Sequence, residues 1–200
     1  MKPISKFWLK KASIIEWNRF PRSSLKKDGN RFTWFEDGKI NLTFNCIEAN
    51  INKGLGRKVA IYNIDKFLNV KKYTYNDLKI EISKYENLIV KILKNKIENK
   101  NIMIHMSASI ECASLMLTCA KIGSFFSVVF DNLPVDAIKL RIKLLKPKIF
   151  FSKNNNTKFL SEIKNYCKKN KINCSIVTIG KNNYKLYSKK KLITFNNFNY

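Results

Sequence analysis

Between Asn101 and Ser152 the chain alternates short apolar runs with stretches of helical periodicity: NIMIHM, SIECASLMLTCAKI, FFSVVF, PVDAIKLRIKLL and KIFFS. The short runs have the length of strands, and each stretch between them is long enough for a crossover helix. Parallel strands require such crossovers, and strands covered on both faces read as unbroken apolar runs instead of alternating ones. The chain is therefore expected to be α/β: a partial parallel sheet with crossover helices.

The flanking sequence divides around this unit. Residues 1–56 read as an irregular N-terminal cap, with Trp8, Trp17 and Trp34 spaced among charges and a turn at Glu36-Asp37-Gly38. Within the cap, Asn41 is placed to cap a helix from Leu42 to Lys53 that Gly54 ends. Residues 57–180 form the main α/β part. It opens with strands over Arg57–Asn63 and Lys71–Tyr75. An amphipathic helix to Asn95 follows, marked by Leu78, Ile82, Tyr85, Leu88, Ile89 and Ile92 at three- and four-residue steps. Beyond the central unit, Lys158–Lys169 reads as a helix and Cys174–Ile179 as a strand. Residues 181–200 are Asn/Lys-rich and are expected to be a poorly ordered tail, with one weak strand at Leu192–Phe195.

Charge narrows the function classes less than its size suggests. The net charge is +25, yet only Arg19, Arg22, Arg31, Arg57 and Arg141 of the 39 basic residues are arginine. Lys, Asn and Ile together fill 84 of 200 positions, and their codons are all A/T-rich. Arginine makes the bidentate contacts that phosphate and guanine favour, so its scarcity argues for compositional drift over a nucleic-acid surface. A basic, non-catalytic nucleic-acid-binding or interaction protein is the alternative that the charge keeps open. Five cysteines without a CxxC pair and a single histidine, His105, exclude the usual zinc spacings and suit reduced thiols in a cytoplasmic protein. The one apolar stretch of membrane length, residues 110–130, contains Glu111 and Lys121 and is divided by Gly123; a buried βαβ unit accounts for it and no membrane partner is expected.

Several pieces in order resemble the start of the short-chain acyl-CoA synthetases, the AMP-forming acetate/propionate–CoA ligases of the adenylate-forming superfamily. They are Phe7-Trp8, Ile15-Glu16-Trp17 with Pro21, the run from Trp34 to Asn41, and Phe44-Asn45-Cys46-Ile47-Glu48. Gly54-Leu55-Gly56-Arg57 to Tyr62 and Tyr73-Thr74-Tyr75-Asn76-Asp77-Leu78 follow. The strongest piece is Met116–Gly123 leading into Ser127-Val128-Val129-Phe130, with Arg141 and Lys146-Pro147-Lys148 in register after it. The similarity covers residues 7–152.

This resemblance implies a two-step reaction: a carboxylate and MgATP give an acyl-adenylate and pyrophosphate, and the thiol of CoA then displaces AMP. ATP, Mg²⁺ and CoA are the ligands of the complete family enzyme. Its ATP-phosphate loop is a Ser/Thr/Gly cluster followed by Pro-Lys, and none of the six glycines here lies in one. The family's adenylation loop and the lysine of its mobile C-terminal domain correspond to sequence beyond Tyr200. The chain is accordingly expected to be inactive alone, as a relic or as one part of a split ligase. Of the family's two CoA contacts in the covered region, the glycine turn after the Ser-Val-Val-Phe strand is replaced by Asp131-Asn132. The Gly/Arg loop is replaced by Lys153-Asn154-Asn155-Asn156-Thr157-Lys158. Lys153 and Lys158 are the only candidates left for CoA phosphate. No catalytic residue and no metal ligand is assigned.

The remaining chemistry-bearing residues read as structural. His105 ends an apolar strand with no carboxylate or nucleophile beside it in sequence. Cys112 and Cys119 share one side of an apolar helix, where a thiol lacks the electropositive, exposed setting that reactivity needs. The lysine runs read as solvated faces.

Overall fold

The computed structural model describes residues 3–65, 67–94, 100–180, 183–187 and 192–196. Its centre is the unit that the strand–helix alternation predicts. Strands β5 (Asn101–His105), β6 (Phe125–Val129), β7 (Ile149–Ser152) and β8 (Ser175–Ile179) are linked by helices α3 (Ile110–Lys121), α4 (Val135–Leu145) and α5 (Thr157–Lys169). These strands lie parallel in the order β8-β7-β5-β6, with Met103 opposite both Ser127 of β6 and Phe150 of β7.

The order reverses at β5. The chain first steps from β5 outward to β6, then crosses back over β5 to β7 and on to β8. Crossovers between parallel strands are right-handed, so reversing the direction of travel moves the helices to the opposite face. The two cores follow from this. Ile102, Ile104, Ile149, Phe151 and Val177 pack beneath α3 and the preceding helix α2 (Tyr75–Leu93). Met103, Phe150 and Ile176, one residue out of phase, pack against Ile138 and Ile142 of α4 and Leu160 and Ile163 of α5. Period-two alternation therefore divides the apolar runs between two buried faces.

The helix starts are set by short polar side chains. Thr74 accepts from the Asp77 backbone N–H while the Asp77 carboxylate accepts from the Thr74 N–H, a reciprocal cap on α2. Ser109 accepts from the Cys112 N–H at α3, and Asn156 from the Lys158 and Phe159 N–H groups at α5.

Two expectations for the cap change. The cap is less irregular than its composition suggests: α1 spans Pro3–Ala12, and β1 (Leu25–Asp28) pairs antiparallel with β2 (Arg31–Trp34) around Gly29, whose φ of +57° suits a tight hairpin turn. The helix expected over 42–53 includes two π-helical turns, Phe44–Glu48 and Ile51–Leu55. Asn50 Nδ2 donates to the Cys46 and Asn45 carbonyls, inserting a side chain into the ladder and favouring the wider spacing. The two strands expected over Arg57–Asn63 and Lys71–Tyr75 are present as β3 (Val59–Ile64) and β4 (Val70–Thr74), which form a separate antiparallel hairpin outside the main sheet.

The stretch expected as a poorly ordered tail contributes strands β9 (Asn183–Tyr187) and β10 (Leu192–Asn196). They extend the sheet antiparallel from β8. The edge of β8 offers unpaired backbone groups, and pairing satisfies them whatever the polarity of the added strand. Residues 181–182, 188–191 and 197–200 of that tail lie outside the described residues.

Candidate functional site: the carboxyl ends of the parallel strands

In an open α/β sheet the crevice for a ligand lies beyond the carboxyl ends of the strands, where the strand order reverses. Here that place is between β5 and β7, and its residues are His105, Ser107, Asp131 and the loop from Ser152 to Asn156. Each is positioned by an element already described. His105 and Ser152 are the last residues of their strands and face each other in register. Asp131 follows β6, and Asn156 begins α5.

The polar groups at these strand ends are engaged with one another. His105 Nδ1 and Ser152 Oγ lie 2.9 Å apart, both side chains fully buried, and Ser152 Oγ also accepts from the Asn154 N–H at 3.0 Å. The imidazole is stacked between Phe150 and Phe159, with ring centroids 5.5 and 5.2 Å away. Its Nε2 is buried with no hydrogen-bond partner among the described residues. Burial pushes the His105 pKa down, and the charge of Asp131 opposes this only in part. Neutral His105 is a packed residue and does not reach an exposed nucleophile.

On the neighbouring strand end, Ser107 Oγ donates to Asp131 Oδ1 at 2.6 Å, joining the ends of β5 and β6. Asp131 therefore places a carboxylate where an anion would approach the sheet, and its hydrogen bond fixes it there. The two candidate lysines do not converge. Lys153 Nζ lies 2.7 Å from Glu111 Oε2 at the start of α3. Burial pushes Glu111 up, but the Lys153 ammonium, a backbone N–H and Ser109 outweigh it and hold the carboxyl below its usual range. Lys158 lies on the opposite side of the sheet, in an open groove of about 530 Å³ between α4 and α5. Lys139, Glu162 and Tyr166 share that groove, and Lys139 already contacts Glu162 at 2.6 Å and Asp136 at 3.0 Å. One lysine is thus neutralised by a carboxylate, and the other faces a different layer.

Sequence reading did not find these partners. Asp131 was visible as a substitution in a turn, but its bond to Ser107 and the Lys153–Glu111 pair join residues 24 and 42 positions apart. No local spacing encodes them. Ser152 carries no motif that distinguishes it from any serine ending a strand. Among the described residues no three His, Cys, Asp or Glu side chains converge as a metal ion would need, and no helix is long and apolar enough to cross a membrane.

Comparison with known proteins agrees with this architecture. Residues 2–46 match the family described as Acetyl-coenzyme A synthetase N-terminus. The acetyl-coenzyme A synthetase of Streptomyces avermitilis is 33% identical over 138 residues, covering 68% of this chain and 21% of the relative. The enzyme of the same name from Mesorhizobium japonicum is 34% identical over 146 residues, 71% of this chain and 22% of the relative. That of Helicobacter pylori is 32% identical over 148 residues, 72% and 22% respectively. The chain thus spans about a fifth of the length of the curated relatives it matches. Among solved structures, apo MatB from Rhodopseudomonas palustris superposes with a TM-score of 0.56 at 16% identity, over 70% of this chain and 25% of that one. At that identity the likeness is one of fold.

Proposed function

We propose that this chain, which resembles the N-terminal region of the AMP-forming acetyl-CoA synthetases, builds the opening section of an acid–thiol ligase scaffold and does not catalyse the reaction by itself. The observation that carries the reading is the order of the match. The N-terminal family segment at 2–46 is followed, without rearrangement, by the hairpin and the β5–α3–β6–α4–β7 crossovers. The overall reaction of such a ligase consumes a carboxylate, ATP and CoA and yields acyl-CoA, AMP and pyrophosphate. Its first step needs preorganised N–H donors and Mg²⁺ around the ATP phosphates, because charge develops there as pyrophosphate leaves.

The residues present do not fit that chemistry. No Ser/Thr/Gly cluster followed by Pro-Lys occurs in the 200 residues. CoA fares no better at the strand ends. Asp131 presents negative charge, Lys153 is taken up by Glu111, and Lys158 lies on another face. What these residues do supply is a rigid, two-faced sheet on which further segments can pack, plus a cap that tethers to it through Thr43 and Asn41. Thr43 Oγ1 donates to the Leu117 carbonyl at 2.6 Å, and Asn41 Nδ2 to that of Lys121 at 3.2 Å.

Grafting tests the scaffold reading. Residues 7–152 replace the matching stretch of the Streptomyces avermitilis synthetase, and the two half-reactions are assayed separately. Retained acetate-dependent ATP–pyrophosphate exchange with a weakened CoA-dependent step is the expected result. Loss of exchange in a graft that is soluble and folded would overturn the scaffold assignment, and undiminished CoA dependence would overturn the account of the strand ends.

A further inference from the structure

The β3–β4 hairpin carries an apolar end that the fold does not use. Ile61 and Tyr73 turn inward and join the cluster around Leu78 and Ile82. Tyr62, Ile64 and Val70 lie exposed on the other face, where Tyr62 pairs with Lys72 and Ile64 with Val70. Phe67 and Leu68 continue this stripe around the turn, 72% and 80% exposed. The turn holds them out. Asp65 Oδ1 accepts from the Phe67 and Asn69 N–H groups at 2.8 and 3.0 Å, and Asp65 Oδ2 from Asn69 Nδ2 at 3.0 Å. The Leu68 N–H donates to the Asp65 carbonyl at 3.0 Å. Leu68 itself has φ of 63°, the left-handed region that glycine and asparagine enter most easily. A backbone position suited to a small or polar residue, with its side chain in water, thus carries a leucine. Neither the turn nor a core accounts for it.

Charge decides what can cover this end. Between 61 and 73 the sequence has three lysines and one aspartate, within a chain of net charge +25. Lys72 Nζ lies 5.9 Å from the Tyr62 ring centroid, and Lys71 Nζ 4.9 Å from that of Tyr73. A second copy would set the same positive charge against itself. An anionic bilayer accepts both parts, the apolar side chains below its headgroups and the lysines at their level. The dimensions agree. Tyr62 stands two residues back from Ile64, about 7 Å along a strand, within the ~5–10 Å depth of interfacial insertion. Its phenol therefore reaches the headgroups as the tip enters. The Asp65 carboxylate already accepts from three N–H donors, which lowers the cost of carrying it into the interface.

We propose that the tip of the β3–β4 hairpin is a membrane-docking site. Ile64, Phe67, Leu68 and Val70 enter the interface of an anionic lipid surface, and Lys71 and Lys72 meet its headgroups. Such contact is peripheral. It revises the expectation of no membrane partner, which rested on the spanning length of residues 110–130 alone.

The test mixes the full 200-residue chain with sedimenting vesicles of phosphatidylcholine alone, or of phosphatidylcholine and phosphatidylserine in about equal parts. The native chain is expected to pellet with the mixed vesicles and to stay in solution with the neutral ones. L68N and the double variant F67S/L68N keep the net charge, and asparagine suits the left-handed position, so their circular dichroism and melting should match the native chain. The double variant should bind the mixed vesicles about tenfold more weakly, and L68N should show a smaller loss. Equal binding by native chain and double variant would mean that lysine charge alone holds the chain to lipid, and would overturn the proposal. A native chain that leaves the mixed vesicles unbound would overturn it too. So would lipid-free self-association that F67S/L68N abolishes, since the occupant would then be a second copy.

Discussion

At the scale of single residues, His105 shows how burial sets chemistry. Its ring is sandwiched by two phenylalanines, one nitrogen faces Ser152, and the other has no partner among the described residues. Protonation would add an unpaired charge to that pocket, so the folded-state pKa lies below the ordinary 6.5. The unfolded chain therefore binds the proton first as pH falls. The stability attached to neutral His105 is complete above pH 6.5. It declines below that value until the folded histidine itself titrates, at no more than about 1.4 kcal/mol per pH unit. Chemical denaturation at pH 7.5 and 5.5 should show this loss in the native chain. In H105F, which keeps the aromatic stack, the difference between the two pH values should be smaller; an equal difference would refute the assignment. Sequence reading reached a packed histidine from the apolar strand alone. It could not reach Ser152, because strand register, and not sequence spacing, places the two together.

Individual elements were legible wherever they carried their own signals. The periodic apolar positions of α2 are one such case, while its cap went unread although Thr74 and Asp77 stand at the spacing of a capping box, both bonds of which are present. T74A should lower stability by about 1 kcal/mol with the denaturant m-value unchanged, read by urea titration of helical ellipticity. The β5–β7 unit was equally readable, since apolar runs and crossover lengths are local properties. The β1–β2 hairpin was not. Its residues from Lys26 to Trp34 are exposed on both sides, so no alternation marks it, and the Asp28-Gly29-Asn30 turn stands in charged surroundings. Strand β9 escaped for another reason: its run NYKLY carries no unbroken apolar signal, and what recruits it is the open edge of β8, whereas β10 coincides with the weak strand read at Leu192–Phe195. The π-helical turns at 44–55 depend on an asparagine side chain entering the backbone ladder, which no periodicity reveals.

At the scale of the whole molecule, β6 lies at an edge of the main sheet. Among the described residues strand β6 pairs only with β5, and Phe125 and Phe130 at its two ends are 76% and 60% exposed. An apolar edge with free backbone groups is a template for another strand. The isolated chain should therefore self-associate with rising concentration despite its net charge of +25. F125K should shift the onset upward in light scattering without altering the circular dichroism spectrum; an unchanged onset would show that this edge is not the contact. The same exposure suits a scaffold on which further polypeptide packs, and it agrees with a chain spanning about a fifth of its relatives. Acetate- and ATP-dependent release of AMP by the purified 200-residue chain, with Mg²⁺ and CoA supplied, is the most direct measurement. Release no greater than in the protein-free control is the predicted result. Release that rises in proportion to protein and disappears without acetate would contradict the account.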